Sequence, residues 1–357
     1  MKDPYFIPPN VHLDRSFAQL RGWIEDKRPT SVVVIMDRMT ERHCLPLLSP
    51  HLPPGTQFLG LSQIGEPNKT LEHAHAIWDS LDGIGMDRHG LLISLGGGTI
   101  TDLGAFVAST YLRGVNSWLI PTTLLGMVDA SVGGKTGVNF NGLKNRIGTF
   151  QTAQGISINP GFLGTLPPRE IANGWAEHVK HRLIHSVQGV QDLLGMQPAH
   201  AEAASLESAI LDSVRIKQHI VEEDPLEQNG NRKVLNFGHT IGHAFESWAM
   251  DNEADLKHGE AIAWGMRVAL KMSELRPDCP GAPAGHFEEV SHYIASAVPI
   301  SCPVPDAAAL WALMQSDKKN VGGRVQVVLL NGFGCPVPHA EVDFEHLNAA
   351  INALTPA

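Results

Sequence analysis

The sequence predicts an α/β N-terminal domain (residues 1–165) with a mostly parallel sheet, followed by a mostly α-helical C-terminal domain (residues 166–357). Three observations predict this. Short β-rich runs alternate with helical patterns over the first part of the chain, which is typical of a parallel sheet. Beyond Leu166-Pro-Pro168 long helical patterns dominate, and a Pro-Pro pair is a natural helix entry and domain boundary. The 357 residues suffice for two domains with a large core.

Each element of the N-terminal domain follows from local pattern. Five β-rich runs predict strands at Ser31–Met36, Phe58–Leu61, Gly90–Leu95, Ser117–Ile120 and Gly155–Ile158. Helical periodicity predicts helices at Thr70–Leu81, at Thr99–Tyr111 and in the segment after Pro121.

The C-terminal domain is predicted to hold seven helices and one short strand. The helical patterns cover Arg169–His185, Ala201–His219, Gly238–Trp248, His258–Leu275, Phe287–Ala297, Ala307–Met314 and Val342–Leu354. The strand is Val325–Leu330.

Composition excludes several classes of protein. Hydrophobic residues make up 43% and charged residues 18%, an ordinary globular balance, and no stretch approaches the roughly 18 apolar residues of a membrane span. The N-terminus lacks a secretion signal, and four scattered cysteines show no metal-site or disulfide spacing, so a reducing cytoplasm is expected. The net charge of −10 argues against nucleic acid but not against a small anionic substrate.

A glycine-rich run from Leu95 to Asp102 lies between a predicted strand and a predicted helix. Three consecutive glycines let the backbone approach a bulky anion, and the helix start behind them offers free N–H groups and a positive dipole end. The run therefore favours a nucleotide pyrophosphate site. The alternative is a glycine turn required only for strand–helix packing.

Histidines and a carboxylate suggest a metal site. His239 and His243 lie four residues apart, hence on one helix face, and His258 begins another predicted helix. Together with Glu177, His239 and His258 would form a His₂Glu site that leaves a position open for substrate. Two alternatives remain: these are helix-surface or capping residues, or His239 and His243 are both ligands.

Further polar residues suggest an anion site. The segment Asp129–Asn139, followed by Lys144 and Asn145, is rich in glycine and polar residues, so that Lys135 and Asn145 could approach a small ligand; the alternative is a surface loop. Further polar candidates for this site are Lys217, Arg232 and Asn236. The run Asp317-Lys-Lys319, taken alone, is predicted to be a charged loop exposed to solvent. The combination suggests redox or elimination chemistry on an anionic, oxygen-rich substrate.

These segments resemble the sugar phosphate cyclases, and within them the 3-dehydroquinate synthase family, from about Gly65 to Leu330. The motifs occur in the family's order. They are Gly97–Asp102, Thr110–Gly114, Pro121–Leu125, Val128–Asn139, Ala176–Lys180, Leu235–His243 and His258–Ala261.

The resemblance implies a Rossmann-like N-terminal domain, NAD and a divalent metal, usually zinc with cobalt possible, and a homodimer. It implies the metal ligands Glu177, His239 and His258. The implied NAD contacts are Asp37, Glu66, Lys69, Gly97, Gly98, Thr99, Asp102, Thr122, Thr123, Lys144, and Phe162 and Thr165 in one turn.

The resemblance also implies which residues meet the substrate, a sugar phosphate that carries a carboxylate. Catalytic roles fall on Lys135, Lys180, Glu227, Arg232, Asn236 and His243. Substrate contacts fall on Arg113 (lent to the neighbouring subunit), Asp129, Asn145, Lys217, and Lys318 or Lys319. The sequence departs from the family pattern at Met39, near the adenosine ribose, and at Thr101, which replaces a usual glycine.

The implied activity is that of a carbon–oxygen lyase of the shikimate pathway. NAD is reduced transiently, phosphate is eliminated, the hydride returns, the sugar ring opens, and an intramolecular aldol closes the carbocycle. The alternatives are another cyclase, such as 2-epi-5-epi-valiolone synthase or 2-deoxy-scyllo-inosose synthase, a metal-dependent polyol dehydrogenase, and a non-catalytic NAD-binding protein.

Overall fold

The computed structural model describes residues 8–141, 143–198, 203–276, 286–316 and 324–354. The chain divides into two compact units. The first consists of Met1–Pro167 with Leu206–Gln218, and the second of Pro168–Ser205 with His219–Ala357. The division after Pro167 lies two residues from the sequence-based boundary, but assigning Leu206–Gln218 to the first unit departs from it.

A six-stranded, all-parallel sheet forms the first unit, in the order β1-β8-β5-β4-β2-β3. The five predicted strands are confirmed to within one residue at each end, and the short edge strand β1 was not predicted. The strands are β1 Val11–Leu13, β2 Val32–Asp37, β3 Gln57–Leu61, β4 Leu91–Gly96, β5 Asn116–Pro121 and β8 Gly155–Ile158.

Helices cover both faces of this sheet and bury its central strands, as is typical of parallel sheets. Every residue of β2 and of β4 is buried. The helices are α1 Ala18–Lys27, α2 Arg38–His43, α3 Leu45–Leu48, α4 Leu71–Ile84 and α5 Gly98–Thr110. The two helices predicted at Thr70–Leu81 and Thr99–Tyr111 are therefore confirmed as α4 and α5.

The segment after Pro121 forms a short π-helix at Gly126–Ala130, and the glycine-rich stretch beyond it forms a two-stranded antiparallel hairpin. The hairpin strands are β6 Val138–Phe140 and β7 Leu143–Ile147. Periodicity does not reveal this hairpin, because its strands are short and β7 is mostly exposed.

The second unit is mainly helical. Its helices are α6 Pro168–His185, α7 Val187–Leu194, α9 His239–Asp251, α10 His258–Leu275, α11 His286–Ala297, α12 Ala307–Ser316 and α13 Phe344–Leu354, and α8 Ala203–Glu223 contributes only its two ends. Strand β9 (Val325–Leu330) pairs with β10 (Pro336–Val342), which was not predicted. The last helix therefore begins after Val342: that residue pairs with Val325, and the Asp343 carboxylate accepts a hydrogen bond from the His346 N–H, capping α13.

Within the described ranges, no helix combines the length and the apolar composition needed to cross a membrane. Cys44, Cys302 and Cys335 are free thiols, and Cys279 lies outside the described residues.

Candidate functional site

Three helices of the second unit bring together the three predicted metal ligands. Glu177 lies in the middle of α6, His239 is the first residue of α9, and His258 is the first residue of α10. Oε1 of Glu177 lies 3.5 Å from Nε2 of His239 and 3.5 Å from Nε2 of His258. The three ligand atoms all lie within 4.8 Å of one another.

This geometry fits a divalent cation. Bonds of about 2.1 Å in tetrahedral directions place neighbouring ligand atoms roughly 3.4 Å apart, close to the separations found here. The Glu177 side chain has no exposed surface, and a buried carboxylate requires positive charge nearby. Two imidazole nitrogens and one carboxylate oxygen also form a donor set suited to zinc or cobalt.

Both histidines are oriented through their second ring nitrogen. The Phe237 carbonyl lies 3.2 Å from Nδ1 of His239, and because a carbonyl only accepts, Nδ1 carries the proton and Nε2 keeps its lone pair. Nδ1 of His258 lies 3.3 Å from Oε1 of Glu246. Such contacts fix the tautomer and direction of metal-binding histidines.

The two histidines differ electrostatically. Burial lowers the pKa of His239 well below its ordinary value, and the charge of Lys180 lowers it further, so this ring is neutral near pH 7. Burial also acts to lower the pKa of His258, but Glu246 and Glu177 outweigh it and raise that pKa to about 10. The two carboxylates therefore favour a positive charge at His258, which a cation would supply on displacing the proton.

Two residues predicted to act in catalysis adjoin the trio. Lys180, three residues along α6 from Glu177, is buried, and its ammonium group donates to Oε2 of Glu177. The His243 side chain is 40% exposed, with its ring centroid 5.3 Å from that of His239. His243 groups with Glu246 and His258 rather than with Glu177, which favours His239 and His258 as the ligand pair.

Three further catalytic candidates, Glu227, Arg232 and Asn236, lie on the segment that leads into α9. Asn236 ends a short 3-10 helix, and Arg232, within the same helix, is 2% exposed and donates to the Pro225 carbonyl at 2.9 Å. Glu227 lies in the preceding loop with φ of 56°. The carboxylate of Asp224 holds this loop by accepting backbone N–H groups of Gln228, Asn229 and Arg232.

The start of α10 is fixed to α6 by residues that the sequence did not single out. Arg169 donates to both carboxylate oxygens of Glu260, at 2.6 and 2.9 Å, and Oδ1 of Asn173 accepts the Gly259 N–H at 2.6 Å. Because His258 directly precedes Gly259, these contacts fix the backbone position from which the His258 side chain extends. In the sequence, these residues stand out only as polar positions within helices that are otherwise rich in apolar residues.

Glycines allow α9 and α10 to approach closely, as the glycines beside His239 and His243 suggested. A Cβ on Gly265 would lie 2.0 Å from the carbonyl oxygen of Gly238, and Gly238 itself has φ of 78°. A shift of α9 would displace His239, and a shift of α10 would displace His258.

We expect Gly265→Ala to lower the free energy of unfolding by about 1–3 kcal/mol, the usual cost of overpacking, and to weaken metal binding. Urea unfolding and metal titration would measure the two effects. Gly83→Ala on α4 is the matched control, because its Cβ would meet nothing within 4 Å and alanine favours a helix by about 1 kcal/mol. Equal stability of the two variants would contradict this packing account.

In the first unit, the glycine run between β4 and α5 forms a cradle for an anion. Helix α5 begins at Gly98 with Gly97 as its N-cap, and no side chain caps its first N–H groups, which are the groups that bind anions at helix starts. A Cβ on Gly97 would lie 3.0 Å from Thr123, and one on Gly98 would lie 3.0 Å from Ala130. Thr101 donates to the Gly98 carbonyl within α5, so this departure from the family pattern fits the helix.

Polar side chains assemble around the same helix start. The Glu66 carboxylate accepts from the Thr99 hydroxyl at 3.1 Å and from the Asn139 amide at 2.7 Å. Lys69 pairs with Asp102 at 2.5 Å. Burial raises the pKa of Asp102, and Lys69 offsets only part of that effect. Asn139, not predicted as a site residue, lies at the end of the Asp129–Asn139 motif.

The other predicted NAD contacts are placed unequally. The Asp37 carboxylate caps α2, accepting the Met39 and Thr40 N–H groups, while the Met39 side chain is exposed. Phe162 packs its ring into the core against Phe17, so that its backbone is the part suited to a ligand. Three of the others share a structural use of their polar groups: the Thr122 N–H donates to the Gly96 carbonyl, the Thr123 hydroxyl accepts from the Gly126 N–H, and the Thr165 hydroxyl donates to the Phe162 carbonyl.

The predicted anion contacts of the first unit fall into two groups. Lys217 is buried and pairs with Asp129, its Nζ lying 2.9 Å from the carboxylate and 2.6 Å from the Asp129 carbonyl. The other group consists of exposed side chains, namely Arg113, Lys135, Lys144 and Asn145. Lys318 and Lys319 lie outside the described residues.

Comparison with known families gives an independent assignment. The family model for the 3-dehydroquinate synthase N-terminal part matches residues 61–173, and the model for its C-terminal part matches residues 174–320. A 3-dehydroquinate synthase of Parabacteroides distasonis is 38% identical over 318 residues, covering 89% of each chain. One of Pyrococcus furiosus is 40% identical over 80% of each chain.

Solved structures share the fold. A 2-deoxy-scyllo-inosose synthase with carbaglucose-6-phosphate, NAD⁺ and Co²⁺ superimposes with a TM-score of 0.81 at 22% identity, over 95% of this chain and 94% of the other. A 2-epi-5-epi-valiolone synthase of Streptomyces hygroscopicus with NAD⁺ and Zn²⁺ gives 0.79 at 26% identity, over 96% and 95%. The ordered motifs and the two matching family models lead to one conclusion: this chain belongs to the 3-dehydroquinate synthase family.

Proposed function

We propose that this chain converts 3-deoxy-D-arabino-heptulosonate 7-phosphate to 3-dehydroquinate and phosphate. The observation that carries the proposal is the buried Glu177, with two imidazole nitrogens each 3.5 Å from one of its oxygens, in a chain of this family. The relatives named 3-dehydroquinate synthase support the substrate, because they resemble the chain over most of its length.

NAD and one divalent cation, zinc or cobalt, are the proposed cofactors. Glu177, His239 and His258 would hold the cation, and the cradle at Gly97 and Gly98 would hold the NAD pyrophosphate. When bound, NAD accepts and returns a hydride while the cation polarises the substrate oxygen at the oxidised carbon.

The chain's own residues position the substrate and its protons. Arg232 is buried and supplies a fixed guanidinium suited to a carboxylate or phosphate, and Lys217 supplies a buried ammonium. Lys180 neutralises the second oxygen of Glu177, so that Oε1 remains directed towards the two histidines. His243, partly exposed beside the trio, would exchange a proton with substrate.

The assembly is proposed to be a homodimer in the cytoplasm, in which Arg113 reaches the phosphate of the neighbouring subunit's substrate. Arg113 is exposed and has φ of 66°, and it follows Leu112 with φ of 50°, so the turn holds the arginine outward at a conformational cost.

A substrate panel tests the proposal. With NAD and zinc, the seven-carbon carboxylate phosphate is expected to release one phosphate per 3-dehydroquinate formed. A heptulose phosphate or glucose 6-phosphate, which lacks the carboxylate, is expected to release none. Phosphate release only from a substrate without the carboxylate would reject this activity in favour of another cyclase.

The absorbance of NADH during turnover separates a cyclase from a polyol dehydrogenase of the same fold. We expect no net NADH, because the hydride returns to the substrate in each cycle. Accumulation of NADH in proportion to product would instead assign a dehydrogenase.

A further inference from the structure

We propose that Glu246 is the positioning residue for the metal ligand His258: its carboxylate accepts the hydrogen on Nδ1 and so directs Nε2 towards Glu177. The inference rests on the metal centre of the proposed function and adds a residue that neither the motif comparison nor the ligand set includes.

The two ends of one imidazole ring face two different carboxylates. Oε1 of Glu246 lies 3.3 Å from Nδ1 of His258, and Oε1 of Glu177 lies 3.5 Å from Nε2 of the same ring. The Glu246 side chain is 8% exposed, so its charge is shielded from solvent and directed at the ring. A ring held in this way cannot rotate about its Cβ–Cγ bond without losing one of the contacts.

The location of Glu246 follows from helix geometry. It lies seven residues after His239 on α9, and residues at this spacing share one face of a helix. The α9 face that carries one metal ligand therefore also carries the group that orients the next ligand, which belongs to α10.

The two histidine ligands obtain their orientation from different sources. The backbone carbonyl of Phe237 holds His239, whose side chain is 12% exposed. The ring of His258 is 29% exposed and is oriented by a side chain, Glu246. Removing that side chain would therefore leave the ring free to rotate. Metal-binding histidines typically donate their second N–H to a carboxylate or carbonyl, and loss of that partner weakens metal binding.

The same geometry also offers Glu246 a second role, as a metal ligand. His243, Glu246 and His258 also have ligand atoms within 4.8 Å of one another, so a second cation there would make Glu246 a ligand. The positioning role is favoured because Nε2 of His243 is 4.0 Å from the carboxylate, whereas His258 lies at hydrogen-bond distance.

Metal affinity of the purified, metal-free protein tests the inference. Zinc affinity would be measured by competition with a chromophoric chelator, and the visible absorption of the cobalt-loaded protein would report the ligand geometry. We expect Glu246→Leu, which removes charge and acceptor, to weaken zinc binding by roughly 10- to 100-fold and to alter the cobalt spectrum. Glu246→Gln keeps an acceptor oxygen and should lose less, about tenfold.

Asp251→Asn is the matched control, because it removes a carboxylate from the exposed end of the same helix, and it should bind zinc as the parent does. The unfolding midpoint of each metal-free variant separates positioning from folding: a midpoint within about 4 °C of the parent together with weaker zinc binding supports the inference. If Glu246→Leu does not fold, Glu246→Gln carries the same comparison.

Unchanged zinc affinity and an unchanged cobalt spectrum in both variants would overturn the role of Glu246. Two cations per parent chain and one per Glu246→Leu chain would also overturn it, by making Glu246 a ligand. A parent chain that binds no divalent cation refutes the metal centre itself, and this outcome is distinct from a normal parent with unaffected variants.

Discussion

His258→Ala is expected to lower kcat/KM for phosphate release by at least about 10³-fold and to reduce bound zinc well below one per chain. The reason is that His258 provides one of the two imidazole nitrogens that lie 3.5 Å from Oε1 of Glu177. A cation that polarises a reacting oxygen contributes several kcal/mol, and each 1.36 kcal/mol corresponds to a tenfold change in rate. Kinetics and elemental analysis of the same preparation measure both quantities.

His292→Ala supplies the control for that experiment, because His292 is an exposed histidine on α11. It should retain parental activity and metal content. If His258→Ala keeps its zinc and stays within tenfold of the parental kcat/KM, the trio is not the metal centre.

Asp102→Ala is expected to destabilise the NAD-free protein by about 3–5 kcal/mol in urea unfolding. Its partner Lys69 is 4% exposed and would remain buried without the carboxylate 2.5 Å from its ammonium. Burial raises the pKa of Asp102 despite Lys69, so the pair offsets its own desolvation only in part. The double variant Lys69→Met with Asp102→Leu should therefore recover most of the lost stability, because neither member of the pair leaves an unpaired buried charge.

An exposed ion pair provides the control for the Lys69–Asp102 variants. Asp26 lies 2.9 Å from Lys27 with both side chains more than half exposed, so Asp26→Ala should change the free energy of unfolding by less than about 1 kcal/mol. A single Asp102→Ala variant as stable as the parent would show that Lys69 is solvated and does not depend on Asp102.

Much of the fold could be predicted because long, regular patterns report burial directly. Helix α10 and strand β9 have the predicted bounds, since each presents an apolar pattern that its neighbours bury. The missed elements include the helices α1–α3 and α7, the β6–β7 hairpin and the strands β1 and β10; β1 has three residues, and β10 contains two prolines and a single buried residue. Neither gives periodicity enough to separate strand from loop.

The candidate site was predictable where a residue type itself implies chemistry. Glu177, His239 and His258 could be chosen from their types and motifs, and the structure groups all three. Glu246, Asn173 and Arg169 could not, because their roles depend on which helices lie side by side. Sequence spacing alone does not place Arg169 against Glu260, 91 residues further along the chain.

Anomalous diffraction at the zinc absorption edge, from crystals of the zinc-loaded protein, would locate the metal directly. One peak is expected in each chain at about 2.0–2.2 Å from Oε1 of Glu177 and from Nε2 of His239 and of His258. A peak coordinated by His243 and Glu246 instead, or no peak within bonding distance of these three atoms, would contradict it.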